Sequence, residues 1–283
     1  MKKVFLGVLV VVALWIVASF TRGMFAAKGG DIGQLFVTAH RGGAALGEEN
    51  TIECIERGIN AGAESVEIDV HITADGHIVV CHDATVDRTT NGIGAINDLT
   101  LEQIKELRIV NADGEITDLQ VPTLGQVLEV IDGDVELLLE IKRKGLDNKG
   151  IEEAVLDVLK QYDAFSYTTI QSFNDSVLEK LYSLDPTLKL EKLVIAKLIG
   201  LPIIFDGSLT YFSTEKYHYI RSFNFFYRAL SPSLSNYLHK EGYKTRIWTI
   251  NDPGSIAQMK LDGVITDNPE LFQEDCDELY QMK

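Results

Sequence analysis

The sequence predicts an α/β fold, a closed (β/α)8 barrel of the TIM type with a small insertion after its second strand and an N-terminal transmembrane helix. From Leu35 onward, short β-rich segments alternate with helical patterns, which is typical of βαβ units around a parallel sheet. Eight such segments can be counted. The length of 283 residues suits one barrel of this kind, whose usual size is about 250 residues.

The amino terminus differs in character from the rest of the chain. Lys2 and Lys3 precede an uncharged run of 17 residues from Val4 to Phe20, which is near the lower limit for crossing a bilayer. A retained helix would keep the lysines in the cytoplasm and place the following domain outside it. A cleaved signal peptide is the alternative, giving a secreted or periplasmic protein, although bulky Phe25 stands where a small residue is expected. We therefore divide the chain into a transmembrane anchor or signal segment, a tether and a barrel domain, at residues 1–22, 23–33 and 34–283.

The eight predicted barrel strands are short runs rich in branched and aromatic residues. They are Leu35–His40, Glu64–His71, Val135–Lys142, Thr168–Ser172, Leu190–Ala196, Ser222–Phe226, Lys244–Ile250 and Gly263–Asp267. Helix-start signals lie between them. These signals predict helices capped at Asn50 or Thr51, opening at Pro122-Thr123, covering Gly150–Gln161, and following Asn174, Pro232 and Pro253.

One additional β-rich run, His77–Cys81, follows the second strand after a short link that contains Asp75-Gly76. So short a link cannot hold the crossover that a parallel neighbour needs, and it therefore predicts an antiparallel hairpin. The stretch 83–121 then becomes an insertion outside the barrel wall. Thr100 signals one short helix within it, over Leu101–Leu107.

Charge and cysteine content exclude several classes of function. The formal net charge of −16 argues against nucleic acid or an anionic lipid surface as the main partner. An anionic substrate would need a metal ion or particular basic side chains. The three cysteines, Cys54, Cys81 and Cys276, are widely spaced. This spacing favours buried thiols over a disulfide framework or a zinc site.

Carboxylates end two of the predicted strands. Glu67 and Asp69 are two positions apart, as are Glu140 and Lys142, so each pair points to one face of its strand. Because apolar neighbours occupy the opposite face, the charged residues should face the barrel interior. Carboxylates converging at the carboxyl ends of barrel strands predict a divalent metal site formed by Glu67, Asp69 and Glu140, with Ca²⁺ or Mg²⁺ preferred. A solvated or salt-bridged set is the alternative interpretation.

Two of the six histidines, His40 and His82, each close an apolar run beside a charged residue. Imidazoles in such a place can transfer protons near neutral pH. A lone histidine at a strand end is more often structural than catalytic, and the other histidines, His71 among them, are expected to be structural or exposed. Asn50 lies where a helix cap is needed, and capping is the role that we predict for it.

Short motifs occur in a fixed order across nearly the whole chain after residue 33. They are His40-Arg41-Gly42, Glu49-Asn50-Thr51, Glu67-Ile68-Asp69-Val70, Asp75-Gly76, His82-Asp83, Asp87-Arg88-Thr89-Thr90-Asn91-Gly92, Val121-Pro122-Thr123-Leu124, Glu140-Ile141-Lys142, Gln171-Ser172-Phe173, Trp248-Thr249-Ile250-Asn251 and Asp262-Gly263-Val264-Ile265-Thr266-Asp267-Asn268-Pro269. This ordered set of motifs resembles the glycerophosphodiester phosphodiesterase family, in which the same segments follow one another in this order.

The resemblance implies metal-dependent hydrolysis of glycerophosphodiesters to glycerol 3-phosphate and an alcohol. It implies acid/base roles for His40 and His82, and contacts from Arg41 and Lys142 to the phosphate oxygens. Trp248 would line the substrate pocket, or else act as a core indole. The alternative substrates for the same site are a lysophospholipid or a polyol phosphate. The stretch 197–227 matches the family poorly and is rich in aromatic residues; we expect it to cover part of the barrel mouth.

Overall fold

The computed structural model describes residues 35–142, 148–198, 201–256 and 259–273, and it shows a closed eight-stranded parallel barrel. The barrel strands neighbour one another in the order β1, β12, β11, β10, β6, β5, β4, β2, and pairing of β1 with β2 closes the ring. The predicted barrel is therefore confirmed. The strands of the chain, in order, are β1 (Phe36–Ala39), β2 (Ser65–Ile72), β3 (Ile78–Val80), β4 (Glu136–Ile141), β5 (Thr168–Ser172), β6 (Leu190–Val194), β7 (Ala196–Lys197), β8 (Ile203–Phe205), β9 (Leu209–Tyr211), β10 (Ser222–Phe226), β11 (Lys244–Trp248) and β12 (Gly263–Thr266).

Helices cover the outside of the barrel, and most begin at a side chain that caps the first turn. Thr100 and Thr123 each form a capping box with a glutamine three residues later. Asn174 and Ser231 accept a hydrogen bond from the first turn of the helix that they precede. The α-helices are α1 (Ile52–Asn60), α2 (Leu101–Glu106), α3 (Leu124–Ile131), α4 (Ile151–Gln161), α5 (Asp175–Leu184) and α6 (Pro232–Lys240).

One expectation about the helices needs correction. The helix predicted after Pro253 is, in the described part of the chain, a single 3-10 turn over Pro253–Ser255. There the Asp252 carboxylate accepts a hydrogen bond from the backbone N–H of Gly254, and a glycine at that position favours a turn over a helix interior. Helix α1 is capped by Thr51, whose hydroxyl accepts a hydrogen bond from the Cys54 N–H.

Strand β3 forms a hairpin with β2, as the short Asp75-Gly76 link predicts. The first two residues of β2 pair with β1, whereas its last three residues pair antiparallel with β3. Strand β3 therefore runs back from the hairpin turn towards the barrel, and the Cys81 N–H donates to the Asp69 carbonyl. Residues 83–121 follow outside the barrel wall. They pack on a small core of their own, formed by Val79, Cys81, Val86, Ile96, Ile104, Ile109 and Val121.

A second, three-stranded sheet of β7, β8 and β9 follows barrel strand β6. The predicted fifth barrel strand is accordingly shorter than expected, because the chain leaves the barrel at Ile195. The aromatic residues of this stretch do not form an exposed rim. Four of the nine are buried, and Phe212, Tyr217 and Phe223 among them pack on one another, while Tyr211 stays 62% exposed.

The main core lies between the strands and the surrounding helices. Both cysteines in the described part of the chain, Cys54 and Cys81, are buried and free. None of the described helices has the length and apolar composition needed to cross a membrane. The predicted anchor and tether, residues 1–33, lie outside the described residues, as does Cys276.

Candidate active site

The predicted site residues converge at the carboxyl ends of the barrel strands, where barrel enzymes carry their reactive groups. Strand β2 supplies Glu67 and Asp69, and β4 supplies Glu140 and, directly after it, Lys142. His40 and Arg41 lie in the turn that follows β1. His82 lies just beyond β3 and Trp248 ends β11.

The turn after β1 is held in an unusual backbone conformation. Arg41 has a φ of 52°, in the left-handed region that non-glycine residues seldom adopt. The backbone N–H of Arg41 donates to the carboxylate of Glu67 at 2.9 Å, which aims the turn at the strand β2 carboxylates. Gly42 packs so closely on α1 that a Cβ atom would lie 2.9 Å from the backbone nitrogen of Ile55. Only glycine fits between this turn and the helix.

Glu67, Asp69 and Glu140 are buried, and one carboxylate oxygen from each lies within 4.8 Å of the others. The pKa of Glu67 is raised by burial and by repulsion from Asp69. Burial also raises the pKa of Glu140, with Asp69 adding to it. Three buried acidic groups at such close range are costly without cations among them.

Lys142 supplies one such positive charge. Its ammonium lies 3.0 Å from Asp69 Oδ1 and 2.9 Å from Glu140 Oε1. Burial alone would lower the pKa of Lys142, but the two carboxylates outweigh it and raise that pKa. Burial would likewise raise the pKa of Asp69, but the charges of Lys142, His82 and Arg41 hold it below its usual range. Despite the nearby ammonium, Asp69 Oδ1 accepts no hydrogen bond of regular geometry from the described residues.

Asn50 belongs to this site and is not the helix cap, so the role predicted from its position is wrong. Its amide nitrogen donates to Asp69 Oδ2 at 2.9 Å, and its carbonyl oxygen accepts from the Asp69 N–H at 3.3 Å. The φ of Asn50 is 60°, a conformation that turns its side chain inward while Thr51 caps the helix. Asparagine tolerates this left-handed backbone better than most residues.

His40 is paired with an acidic residue from the other end of the chain. Its Nδ1 lies 2.6 Å from Oδ1 of Asp267, which leaves Nε2 as the ring nitrogen available to a substrate. Burial would lower the pKa of the imidazole, but the Asp267 hydrogen bond and the charge of Glu67 outweigh burial and raise it. Asn251 in turn donates to Asp267 at 2.6 Å. His40 is therefore held ready to carry a proton.

His82 is also paired with an aspartate, but its pKa is shifted in the opposite direction from that of His40. Its Nδ1 lies 2.7 Å from Oδ1 of the adjacent Asp83. The pKa of this imidazole is lowered, by burial first and then by the charges of Lys142 and Arg41, against the opposing charge of Asp69. Two titratable groups whose pKa values are pushed apart are typical of an acid/base pair.

Arg88 from the insertion joins the two halves of this arrangement. Its Nε donates to Asp83 at 2.6 Å, and both of its terminal nitrogens donate to Glu49. Glu49 also accepts from Arg41 at 3.0 Å. The insertion is thereby fixed to the turn that carries His40 and to the residue that orients His82.

A cavity of about 660 Å³ opens beside these groups. Its wall includes His82, Glu140 and Lys142, together with Phe173 and several small residues of the insertion. Trp248 packs edge-on against Phe173, with ring centroids 5.5 Å apart, and donates its indole N–H to the Asn224 carbonyl. Trp248 thus supports the cavity wall through Phe173.

His71 braces both sides of this cavity. One ring nitrogen lies 3.3 Å from the His82 carbonyl, and the other lies 2.8 Å from the amide nitrogen of Asn148. The same Asn148 amide donates to the Lys142 carbonyl at 2.5 Å. His71 is structural, as its sequence position suggests, but it ties together the backbones that carry His82 and Lys142.

Asp83, Arg88 and Asp267 fall within the motifs quoted above but were not among the predicted site residues. Their roles arise from pairing with His82 or His40, and a sequence does not show which charged neighbours meet. Taken together, the mouth of the barrel combines two histidines that each pair with an aspartate, a carboxylate cluster and two basic side chains. This combination defines a barrel enzyme equipped to act on an anionic ester.

Comparison with known proteins identifies the family. Residues 40–271 match the model of the glycerophosphoryl diester phosphodiesterase family. The chain is 37% identical over 241 residues to the glycerophosphodiester phosphodiesterase of Caldanaerobacter subterraneus subsp. tengcongensis, covering 83% of this chain and 95% of that one. It is 27% identical to the Bacillus subtilis glycerophosphodiester phosphodiesterase, covering 97% and 98% of the two chains. This chain therefore belongs to the glycerophosphoryl diester phosphodiesterase family, and the predicted enzyme class is confirmed.

Among solved structures, the chain is similar to an Oleispira antarctica phosphodiesterase in complex with the product sn-glycerol-3-phosphate. The TM-score is 0.73 at 27% identity, and the match covers 90% of this chain and 98% of that one. A structure assigned as a glycerophosphoryl diester phosphodiesterase from Silicibacter pomeroyi matches with a TM-score of 0.74 at 24% identity, over 93% of this chain and 98% of that one. These likenesses agree with the barrel architecture.

Proposed function

We propose that the enzyme hydrolyses glycerophosphodiesters to glycerol 3-phosphate and an alcohol by divalent-metal-assisted catalysis, with His40 as general acid and His82 as general base. The observation that carries the proposal is the convergence of three buried carboxylates beside two histidines whose pKa values are displaced in opposite directions. The activity and substrate of the family relatives support the choice of substrate.

The donor set fits a hard divalent cation. Glu67, Asp69 and Glu140 offer oxygen ligands only, and among the residues that the structure describes none makes a hydrogen bond of regular geometry to the buried Asp69 Oδ1. Such ligands suit Ca²⁺ or Mg²⁺ better than zinc. When bound there, the cation would neutralise the carboxylates and polarise a phosphoryl oxygen. Arg41 and Lys142, which now pair with carboxylates, are placed to contact the remaining phosphate oxygens.

The two imidazoles divide the proton transfers between them. His82, with a lowered pKa, is neutral near pH 7 and accepts a proton at Nε2. His40, with a raised pKa, holds its proton more readily than His82 and donates it from Nε2 to the oxygen of the departing alcohol. Each Nδ1 stays bonded to its carboxylate, Asp83 or Asp267, which fixes ring orientation during both transfers.

The attacking group is the substrate's own hydroxyl on the carbon next to the phosphate ester. Ser172, a hydroxyl residue of the cavity wall, donates its proton to the Ile141 carbonyl and is not paired with a base. The substrate hydroxyl is already within bonding reach of phosphorus, an intramolecular advantage. The hydroxyl oxygen bonds to phosphorus as His82 takes the hydroxyl proton. The bond between phosphorus and the oxygen of the departing alcohol breaks as His40 protonates that alcohol oxygen. Water then opens the cyclic phosphate with the histidines in reversed roles.

Metal-free enzyme tests the proposal. After chelation, turnover of glycerophosphocholine should vanish and should return with Ca²⁺ or Mg²⁺. Glu67→Gln should require far more metal for half-maximal activity. Lysophosphatidylcholine, assayed in parallel, tests the alternative that the substrate is a lysophospholipid. Faster turnover of lysophosphatidylcholine than of glycerophosphocholine would favour that alternative. Full activity in the chelated enzyme would contradict the metal proposal.

We also propose that residues 1–22 anchor the enzyme in a membrane with its barrel outside the cytoplasm; secretion or release to the periplasm after cleavage is the alternative. The support is the apolar run Val4–Phe20 behind Lys2 and Lys3. The full chain should fractionate with membranes and be accessible to external protease, whereas a chain beginning at Gly33 should be soluble and active. Recovery of the intact chain from the cytosol would contradict anchoring.

A further inference from the structure

The barrel interior beneath the carboxylates contains a set of buried polar side chains that the proposed chemistry does not use. Gln171 of β5, Glu191 of β6, Asn224 of β10 and Arg246 of β11 are each no more than 8% exposed. Polar groups are costly in such a place unless all of them are paired. Their contacts form one continuous chain, and its upper end is the carboxylate of Glu67.

The lower end of this chain is an ion pair at the barrel floor. One guanidinium nitrogen of Arg246 lies 3.3 Å from Oε1 of Glu191, and another donates to the Thr38 hydroxyl. A guanidinium offers only hydrogen-bond donors. Glu191 therefore acts as the acceptor in this pair.

This fixes the orientation of both amides above it. The Asn224 amide lies 2.8 Å from Oε2 of Glu191, so its nitrogen, which is a donor, must face that carboxylate. The same nitrogen donates its other proton to Oε1 of Gln171 at 2.9 Å. The Ser222 hydroxyl donates to Oδ1, the side-chain amide oxygen of Asn224. With its oxygen engaged below, Gln171 must turn its own NH₂ group upward, where Nε2 lies 3.4 Å from Oε1 of Glu67.

We propose that Gln171 and Asn224 form a polar relay that holds the Glu67 carboxylate oriented as a ligand for the divalent cation, with its direction set by the Arg246–Glu191 pair. Gln171 and Asn224 are positioning residues, since neither belongs to the carboxylate cluster. This inference rests on the metal site of the proposed function. Partners that orient metal ligands commonly contribute about 10- to 100-fold in affinity.

Calorimetric titration of the metal-free full chain with Ca²⁺ and with Mg²⁺ tests the relay without relying on turnover. Gln171→Met keeps the length of the side chain but removes the donor, and it should raise the metal Kd roughly tenfold or more. Asn224→Asp should also raise it, although Asn224 does not touch Glu67, because an aspartate cannot donate to Glu191 or to Gln171. Loss of the lower contact frees the Gln171 amide to turn its oxygen towards Glu67.

Thr168→Val on the same strand is the matched control. Thr168 is buried and donates one hydrogen bond, to the Ala164 carbonyl, so the variant should lose stability like the others but keep the wild-type Kd. If Asn224→Asp does not fold, Ser222→Ala replaces it and should give a smaller rise. Wild-type Kd in both Gln171→Met and the folded second variant would overturn the relay alone. Absence of saturable binding by the wild-type chain would instead overturn the metal site, and the relay with it.

Discussion

His40 and Asp267, 227 positions apart in the sequence, meet at 2.6 Å where the first and last strands of the barrel pair. The closure of the ring therefore creates the hydrogen bond that raises the pKa of His40. His82 takes its own partner, Asp83, from the adjacent position. The aspartate pairing of His40 therefore requires the complete barrel, whereas the pairing of His82 requires only a contact between adjacent residues.

The opposite pKa shifts of the two histidines predict how activity depends on pH. In the proposed mechanism His82 must be neutral and His40 protonated, so activity should fall at low pH through the lowered pKa of His82 and at high pH through the raised pKa of His40. Asp267→Asn removes an interaction that raises the pKa of His40, so the alkaline limb should move to lower pH. Asp83→Asn is the matched variant and should move the acid limb to lower pH instead. Rate profiles at saturating metal would show which limb moves, and a shift of the wrong limb would reverse the assigned roles.

The leaving group offers a separate test of the two roles. His40→Ala and His82→Ala should each lose about a hundredfold or more on glycerophosphocholine, the scale of general acid/base catalysis. In a p-nitrophenyl diester of glycerol phosphate, the leaving group is p-nitrophenolate, which departs without being protonated. On that substrate His40→Ala should regain most of the rate of the first step, cyclisation, and His82→Ala should not, as measured by nitrophenolate release within a single turnover. Equal recovery in both variants would contradict the assignment.

A substrate analogue tests the internal nucleophile. A diester that lacks the hydroxyl next to the phosphate ester should bind as a competitive inhibitor but should not be cleaved. Product analysis by phosphorus NMR would in addition show a cyclic phosphate during turnover of the normal substrate. Cleavage of the deoxy analogue at the normal rate would mean that water attacks phosphorus directly.

Asn50 and Thr51 can be separated by mutation because they serve different purposes. Asn50→Gly keeps the left-handed backbone but removes both contacts to Asp69, so metal affinity should fall with little loss of helix capping. Thr51→Ala should cost about 1 kcal/mol in the free energy of unfolding through loss of the cap, with metal affinity unchanged. Calorimetry and urea unfolding of the two variants would measure each effect.

Gly58 should be sensitive to even one added carbon atom. A Cβ there would lie 2.2 Å from the carbonyl oxygen of Gly42, so α1 and the turn carrying His40 would have to move apart. Gly58→Ala should destabilise the fold by about 1–3 kcal/mol, the usual cost of overpacking, and should also reduce kcat. At Gly47 a Cβ would meet only ordinary contacts from 3.5 Å, so Gly47→Ala should change the unfolding free energy little.

The sequence was informative wherever a local rule decides the structure. Period-two alternation places Glu67 and Asp69 on one face of β2, and the short Asp75-Gly76 link requires a hairpin. Asn50 was misassigned because two adjacent residues both suited the cap, and only the backbone φ shows which one turns inward. The Gln171–Asn224 contact depends on strands distant in the chain, which no local pattern reports. Residues 197–227 were equally hard to place, since buried and exposed aromatics look alike in sequence.

The pairing of β1 with β12 also bears on how the enzyme comes into being. Contacts between the two ends of a chain carry a large loop-closure entropy, and folds rich in such contacts form slowly. A nascent or half-folded barrel can already hold the carboxylates of β2 and β4, since those strands are neighbours. It cannot yet hold His40 against Asp267. Recovery of catalysis during refolding would therefore report closure of the ring, well after most of the secondary structure has returned.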